Sequence, residues 1–153
     1  MNQHHTFSSA ETRALGKKLA EEIPTSHPRL LIRKGALIFA LTGELGSGKT
    51  TFVQGFLRGL GVRRGGASPT FIIFRRFMIY DLRFKNVYHV DAYRLKNSRE
   101  LATLGFKEIL ADPENIVLIE WAEKIKKLLP RSTIKILFSH GEKSNERAIK
   151  MKD

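Results

Sequence analysis

Between Ser8 and Pro24 the apolar residues Leu15, Leu19 and Ile23 recur every four positions, the spacing of one helix face. Ser8 precedes them with Glu11 three residues on, a capping box that opens the helix, and Pro24 closes it. A polar turn over 25–28 follows. Ala36-Leu37-Ile38-Phe39-Ala40-Leu41 is apolar without a break, as in a buried strand. Phe52, Val53, Phe56, Leu57 and Leu60 return to helical spacing, and Gly61 stands where a C-terminal cap belongs. Residues 71–80 and 86–93 are rich in β-formers and joined by a short polar link, which predicts an antiparallel hairpin. One helix is predicted over 97–111, capped by Asn97 with Glu100 behind it and closed by Asp112-Pro113. Ile116-Val117-Leu118-Ile119 is wholly apolar, as a central strand is. A short helix over 121–129 ended by Pro130, a strand over 133–138 and a last strand over 148–151 complete the reading. The alternation predicts an α/β domain: a mainly parallel central sheet with flanking helices and a β-hairpin.

A chain of 153 residues implies one domain over 1–153, and a partly flexible tail is expected over 141–153. Its 42% hydrophobic content is enough for a real core. The chain has no cysteine, which excludes disulfides and thiolate metal sites. The first ten residues hold no apolar signal-like stretch, and no run approaches the ~18 apolar residues of a membrane span. The expectation is a cytoplasmic protein. Lys and Arg number 27 against 15 acids, a net charge of +12. Such an excess suits a polyanionic partner or a solvated surface. The basic residues are dispersed, at Arg63-Arg64, Arg75-Arg76, Lys124 to Lys127 and Lys143 to Lys152, with no RNA-binding aromatic motif, zinc finger or basic zipper among them.

Candidate chemistry concentrates in Gly43-Glu44-Leu45-Gly46-Ser47-Gly48-Lys49-Thr50. This run fits the phosphate-binding P-loop pattern G-x-x-x-x-G-K-[ST]. It lies between the predicted strand and helix, the order that brings backbone N–H groups and a helix N-terminus to one anion. Glu44, Leu45, Gly46, Ser47, Gly48 and Thr51 would line a nucleotide's phosphates. Lys49 would reach the β- and γ-phosphates, and the Thr50 hydroxyl would sit on Mg²⁺.

A P-loop does not select a reaction; the remaining acids and hydroxyls do. Ser68-Pro69-Thr70-Phe71 follows the P-loop helix and reads either as a turn opening a strand or as a switch segment whose hydroxyl reaches the metal. Asp91 ends the strand Val87-Tyr88-His89-Val90, which suits an acid that holds Mg²⁺ directly or through water. The alternative is a strand-end ion pair with Arg94. His89 alternates with Val90 and reads as a structural histidine. Glu120 follows the most apolar strand, and ligands of open α/β sheets bind beyond such strand ends. Trp121, the single tryptophan, packs in the core or lies beside the nucleotide or a partner.

Taken in order, Gly43 to Thr51, Ser68-Pro69-Thr70-Phe71, Tyr88-His89-Val90-Asp91-Ala92-Tyr93-Arg94-Leu95, Leu101 to Gly105 and Ile119-Glu120-Trp121 resemble the TsaE (YjeE) family, across nearly the whole chain. The resemblance implies a small P-loop NTPase-like fold with its core over 8–149, and a Mg²⁺-dependent ATPase serving threonylcarbamoyladenosine formation beside the tRNA anticodon. It implies as partners the threonylcarbamoyl-transferase subunit and its paralogue, with tRNA reached through them, and no membrane. By the same resemblance Lys49, Thr70, Asp91 and Glu120 are catalytic, Thr50, Asp91 and Glu120 attend the metal, Arg147 is a C-terminal nucleotide contact, and Thr12 to Leu15 lie near the adenine. Ala122 stands where the family often has proline, and 75–85 is more basic and apolar than the family pattern. A P-loop small-molecule kinase is the alternative reading. An RNA-binding module with a vestigial P-loop is a third, which the intact Lys49-Thr50 opposes.

Overall fold

The computed structural model describes residues 2–26, 34–63, 73–80 and 83–152. In chain order these form β1 (Asn2–Thr6), α1 (Ser9–Ser26), β2 (Leu37–Gly43), α2 (Lys49–Gly59), β3 (Phe74–Met78), β4 (Asn86–Asp91), α3 (Arg99–Ala102), α4 (Phe106–Ala111), β5 (Asn115–Glu120), a 3-10 helix (Ala122–Leu128), β6 (Ile134–His140) and β7 (Arg147–Lys152). The strands make one seven-stranded sheet in the order β1-β7-β6-β2-β5-β4-β3. Its centre is parallel: β2 lies between β5 and β6, and β4 flanks β5. Both margins are antiparallel, β3 against β4 on one side, β7 between β6 and β1 on the other.

Register decides what meets at the sheet's carboxyl end. Leu41 pairs with Glu120, and Glu120 pairs with Asp91. Both acids therefore stand at the ends of neighbouring strands, Glu120 on β5 beside the strand that feeds the P-loop and Asp91 on β4 one strand further, on the same face of the sheet. No residue of β5 is exposed, because both faces are covered. On one face α1 and α2 pack over Phe39 and Phe138 of the sheet, with edge-on ring pairs to Phe56 and Phe52 of α2, Phe39–Phe56 at 5.0 Å and Phe52–Phe138 at 5.4 Å. On the other, α3, α4 and the 3-10 helix cover Ile38, Ala40, Tyr88, Val117 and Ile119.

The predicted elements form, with differences at four places. The helix expected over 97–111 is two short helices. Gly105 adopts φ +72 between them, a left-handed conformation that ends one helical path and starts another. Asn97 and Glu100 still cap the first: Asn97 Oδ1 accepts the Arg99 N–H at 3.0 Å, and Glu100 Oε1 accepts the Lys96 N–H at 2.8 Å. The first helix runs through Pro24 to Ser26, two residues past the expected end; proline's fixed φ lies within the helical range. The polar segment Asn2–Thr6 is an edge strand; its pairing is made by backbone groups and leaves no apolar periodicity. The segment 121–129 is helical as expected, but as 3-10 turns kinked at Ile125. Ser8 and Glu11 form the expected cap, Ser8 Oγ accepting the Glu11 N–H at 3.1 Å and Glu11 Oε2 accepting the Phe7 N–H at 2.8 Å. Gly61 caps α2 with φ +81, its N–H on Arg58 O and the Val62 N–H on Leu57 O, each at 3.0 Å, a Schellman arrangement.

The helices that position the P-loop touch backbone to backbone. Gly55 of α2 lies against the Arg13 carbonyl of α1, and Gly16 of α1 against the Phe52 carbonyl of α2. A Cβ at either place would run into backbone, which cannot move aside as a flexible side chain does. Gly55→Ala is therefore expected to destabilise the protein by about 1–3 kcal/mol through overpacking. Urea unfolding checks this: the midpoint should fall at unchanged slope, while Lys18→Ala on the exposed face of α1 should stay within about 0.5 kcal/mol of the parent.

Candidate functional site

The turn from β2 into α2 builds the site. Gly43, Gly46 and Gly48 take φ of 140, 73 and 99, a region that side chains rarely enter. Gly48 is the N-cap of α2 and offers no side chain to cap it, so no N-cap side chain takes the first-turn N–H groups. Ser47 and Lys49 are buried, while Leu45 projects outward at 76% exposure. Thr51 is half-buried in the first helical turn.

The Lys49 ammonium uses its donors inside this loop. Nζ donates to Gly43 O and Glu44 O, each at 2.7 Å, and to Ser47 Oγ at 3.3 Å. It also lies 4.0 Å from the Trp121 ring centroid, within cation–π range. Burial lowers its pKa below the ordinary lysine value; the carboxylates of Glu120, Glu123 and Asp91 oppose that shift.

Glu120 connects the loop to the sheet. Its Oε2 accepts the Thr50 hydroxyl at 2.7 Å, and its Oε1 lies 2.7 Å from His89 Nε2. A buried carboxylate needs such donors. Here they come from α2 on one side and β4 on the other. His89 is thus the structural histidine expected from its alternation, and it fixes the carboxylate that meets Thr50. Asp91 stands beside Glu120 in register. Its Oδ1 accepts the Tyr93 N–H at 3.0 Å, a turn that ends the strand.

Trp121 takes a left-handed φ of 57, rare for a bulky residue. This turn brings its ring over Lys49 and against Tyr93, ring centroids 4.9 Å apart. Lys124 donates to the Tyr93 carbonyl and lies over the Tyr93 ring. Trp121 thus packs against the core cluster on its face of the sheet and also lies beside the P-loop lysine.

Arg147 also reaches the loop: Nε donates to Gly46 O at 3.1 Å. Thr12 comes close as well, its methyl 3.5 Å from where a Cβ on Gly48 would stand, with its hydroxyl on Thr6 at 2.7 Å and Ser8 O at 3.1 Å. Leu15 packs into the core beneath α1. Thr70, and with it the motif Ser68-Pro69-Thr70-Phe71, lies outside the described residues. Sequence reasoning missed Tyr93, Lys124 and His140. The last approaches Leu45 O at 3.2 Å from the end of β6, and its position beyond a parallel strand next to β2 is the signal that could have found it.

The oxygen donors suit a hard divalent cation. Thr50 and Glu120 are in contact and Asp91 is adjacent, and Mg²⁺ takes one or two carboxylates with the rest of its shell from phosphate and water. A hydroxyl that gives its proton to Glu120 keeps lone pairs for a metal.

Known proteins are similar to this chain over most of its length. A family model described as "Threonylcarbamoyl adenosine biosynthesis protein TsaE" matches residues 6–149. A Haemophilus influenzae protein named tRNA threonylcarbamoyladenosine biosynthesis protein TsaE is 36% identical over 78% of this chain and 70% of its own length. A Bacillus subtilis protein of the same name is 34% identical over 89% of this chain and 76% of its own. The crystal structure of Bacillus subtilis YdiB superposes with a TM-score of 0.71 at 29% identity, covering 97% of this chain and 82% of that one. A family match spanning the P-loop, both strand-end acids and Arg147 makes this protein a member of the TsaE family.

Proposed function

We propose that this protein binds and hydrolyses Mg²⁺-ATP as the ATPase subunit of tRNA threonylcarbamoyladenosine formation. It acts as one domain upon the threonylcarbamoyl-transferase subunit and its paralogue, in the cytoplasm. The carrying observation is the 2.7 Å contact between Thr50 Oγ1 and Glu120 Oε2. It joins the P-loop's metal-side hydroxyl to an acid on the neighbouring strand, the pairing that Mg²⁺-nucleotide chemistry requires. The names of the relatives supply the pathway.

The work divides among the residues of the site. The N–H groups of residues 46–51 cradle the phosphates at the start of α2. Lys49 exchanges its carbonyl acceptors for charged phosphate oxygens. Thr50, Glu120 and Asp91 would hold Mg²⁺, which when bound offsets charge on the β- and γ-phosphates. His89 keeps Glu120 oriented. Trp121 shields the Lys49 side of the site, and Arg147 and Thr12 flank Gly48 on the side assigned to the nucleoside. Thr70 completes the metal side as the switch hydroxyl. Among the described residues no helix is long and apolar enough to cross a membrane.

Lys49→Ala removes a charge-assisted contact worth about 1.5–3 kcal/mol. ATP affinity measured by calorimetric titration should fall about ten- to a hundredfold, and unchanged affinity would end the P-loop assignment. Glu120→Gln and Asp91→Asn should instead retain nucleotide binding and lose hydrolysis, on the order of a hundredfold for a mispositioned metal or water. Phosphate release in the presence of both partner proteins and tRNA checks this. Full activity in both variants would make these acids structural. Appearance of a phosphorylated small molecule in place of inorganic phosphate would favour a kinase.

A further inference from the structure

His140 ends β6 and pairs in register with Arg147, which begins β7. Both point to the α2 face of the sheet, and each holds a neighbouring P-loop carbonyl. His140 Nε2 lies 3.2 Å from Leu45 O, and Arg147 Nε donates to Gly46 O at 3.1 Å. A carbonyl oxygen only accepts, so His140 must carry a proton on Nε2. The same arginine's terminal nitrogen donates to Ser144 O and Glu146 O, each at 2.7 Å. It therefore fixes the β6–β7 turn as well as the loop.

That turn is tied down elsewhere. Glu146 Oε2 accepts the Glu142 N–H at 3.0 Å, and Glu146 Oε1 meets His5 Nδ1 of β1 at 3.1 Å. Asn145 Nδ2 donates to Phe7 O at 2.7 Å, at the junction of β1 and α1. The turn is thus a braced element rather than a free loop, and the P-loop leans on it.

Peptide planarity turns these outer contacts into a statement about the inner surface. In a trans peptide the C=O and the following N–H point opposite ways. Holding Leu45 C=O outward aims the Gly46 N–H inward, and holding Gly46 C=O outward aims the Ser47 N–H inward, where it now meets Glu44 O at 3.2 Å. Gly46 has φ 73 and no side chain, so nothing intrinsic to it selects this orientation. Lys49 restrains the carbonyls of Gly43 and Glu44 from inside. Carbonyls 45 and 46 are restrained from outside.

We infer that His140 is a positioning residue for nucleotide binding: with Arg147 it forms a clamp that sets the peptide planes following Leu45 and Gly46 so that their N–H donors face the phosphates. This rests on the nucleotide reading of the P-loop and adds a residue to it. His140 touches the loop's outer side, so it acts through the backbone and not on the phosphates.

The test uses the full chain with ADP and ATP as probes, dissociation constants by calorimetry, and melting midpoints without nucleotide. His140→Phe keeps a ring of similar size and loses the donor. His140→Gln keeps an amide N–H at comparable reach. Loss of one preorganising hydrogen bond should weaken both nucleotides about three- to tenfold in the Phe variant, while the Gln variant stays within about twofold of the parent. Because His140 is exposed, melting midpoints should not change, which separates positioning from folding. Equal affinity for parent and Phe variant, or equal weakening by Phe and Gln, would overturn the inference. Lys49→Ala measured alongside separates the two levels. If it weakens binding and His140→Phe does not, only the clamp fails; if Lys49→Ala also binds normally, the nucleotide reading fails and the clamp with it.

Discussion

The contact between the Thr50 hydroxyl and the Glu120 carboxylate is the constraint on which the site depends. It spans 2.7 Å and seventy positions of sequence, joining the first turn of α2 to the end of β5. It requires β2 and β5 to be parallel and in one register, because a one-residue slip would send Glu120 to the opposite face. The apolar strands supply that register. Ile38, Phe39 and Ala40 pair with Val117, Leu118 and Ile119, and every one of these side chains is buried. The hydrophobic layers on the two faces therefore do more than stabilise the sheet; they set the distance between a hydroxyl and a carboxylate. His89 extends the constraint to β4, so a third strand shares in orienting one acid.

Around this contact the P-loop is held on all sides by different chemistry. From within, the Lys49 ammonium gathers two carbonyls and a hydroxyl. Above it lies Trp121, turned by an unusual backbone conformation that costs on the order of 1–3 kcal/mol and places an aromatic face on the buried cation. Beneath, α1 and α2 meet through Gly16 and Gly55 at backbone distance, which fixes where the N-terminus of α2 points. Outside, His140 and Arg147 at the two ends of the β6–β7 turn hold the carbonyls of Leu45 and Gly46. A loop of glycines is flexible by composition. Here its surroundings remove that freedom before any phosphate arrives, so less ordering is left for binding to offset.

Much of this is legible in the sequence because it is local. The P-loop is a run of eight residues recognisable by its glycine spacing and its Lys-Thr end, and Asp91 and Glu120 can be found because they terminate apolar runs. Gly61 and Ser8 are equally readable as caps. What escapes is what depends on distant partners. Gly105 sits inside a helical pattern, and the break shows only in its left-handed φ and the two short helices on either side. Asn2–Thr6 has no apolar face, so its strand exists only by pairing with β7. The Gly16–Gly55 approach needs two helices already side by side. His140 lies ninety-five positions from the carbonyl it holds, and no spacing rule links them.

The central claim is that Thr50 and Glu120 act as one unit in holding Mg²⁺ for hydrolysis. A double-mutant cycle with Thr50→Val and Glu120→Gln, read as the rate of phosphate release with the partner proteins and tRNA present, tests it directly. Residues that serve one function lose it together, so their effects are strongly non-additive. Acting as one unit, they should give a double variant no slower than the slower single variant, within about twofold. Losses that multiply, each variant contributing its full factor independently, would contradict the claim.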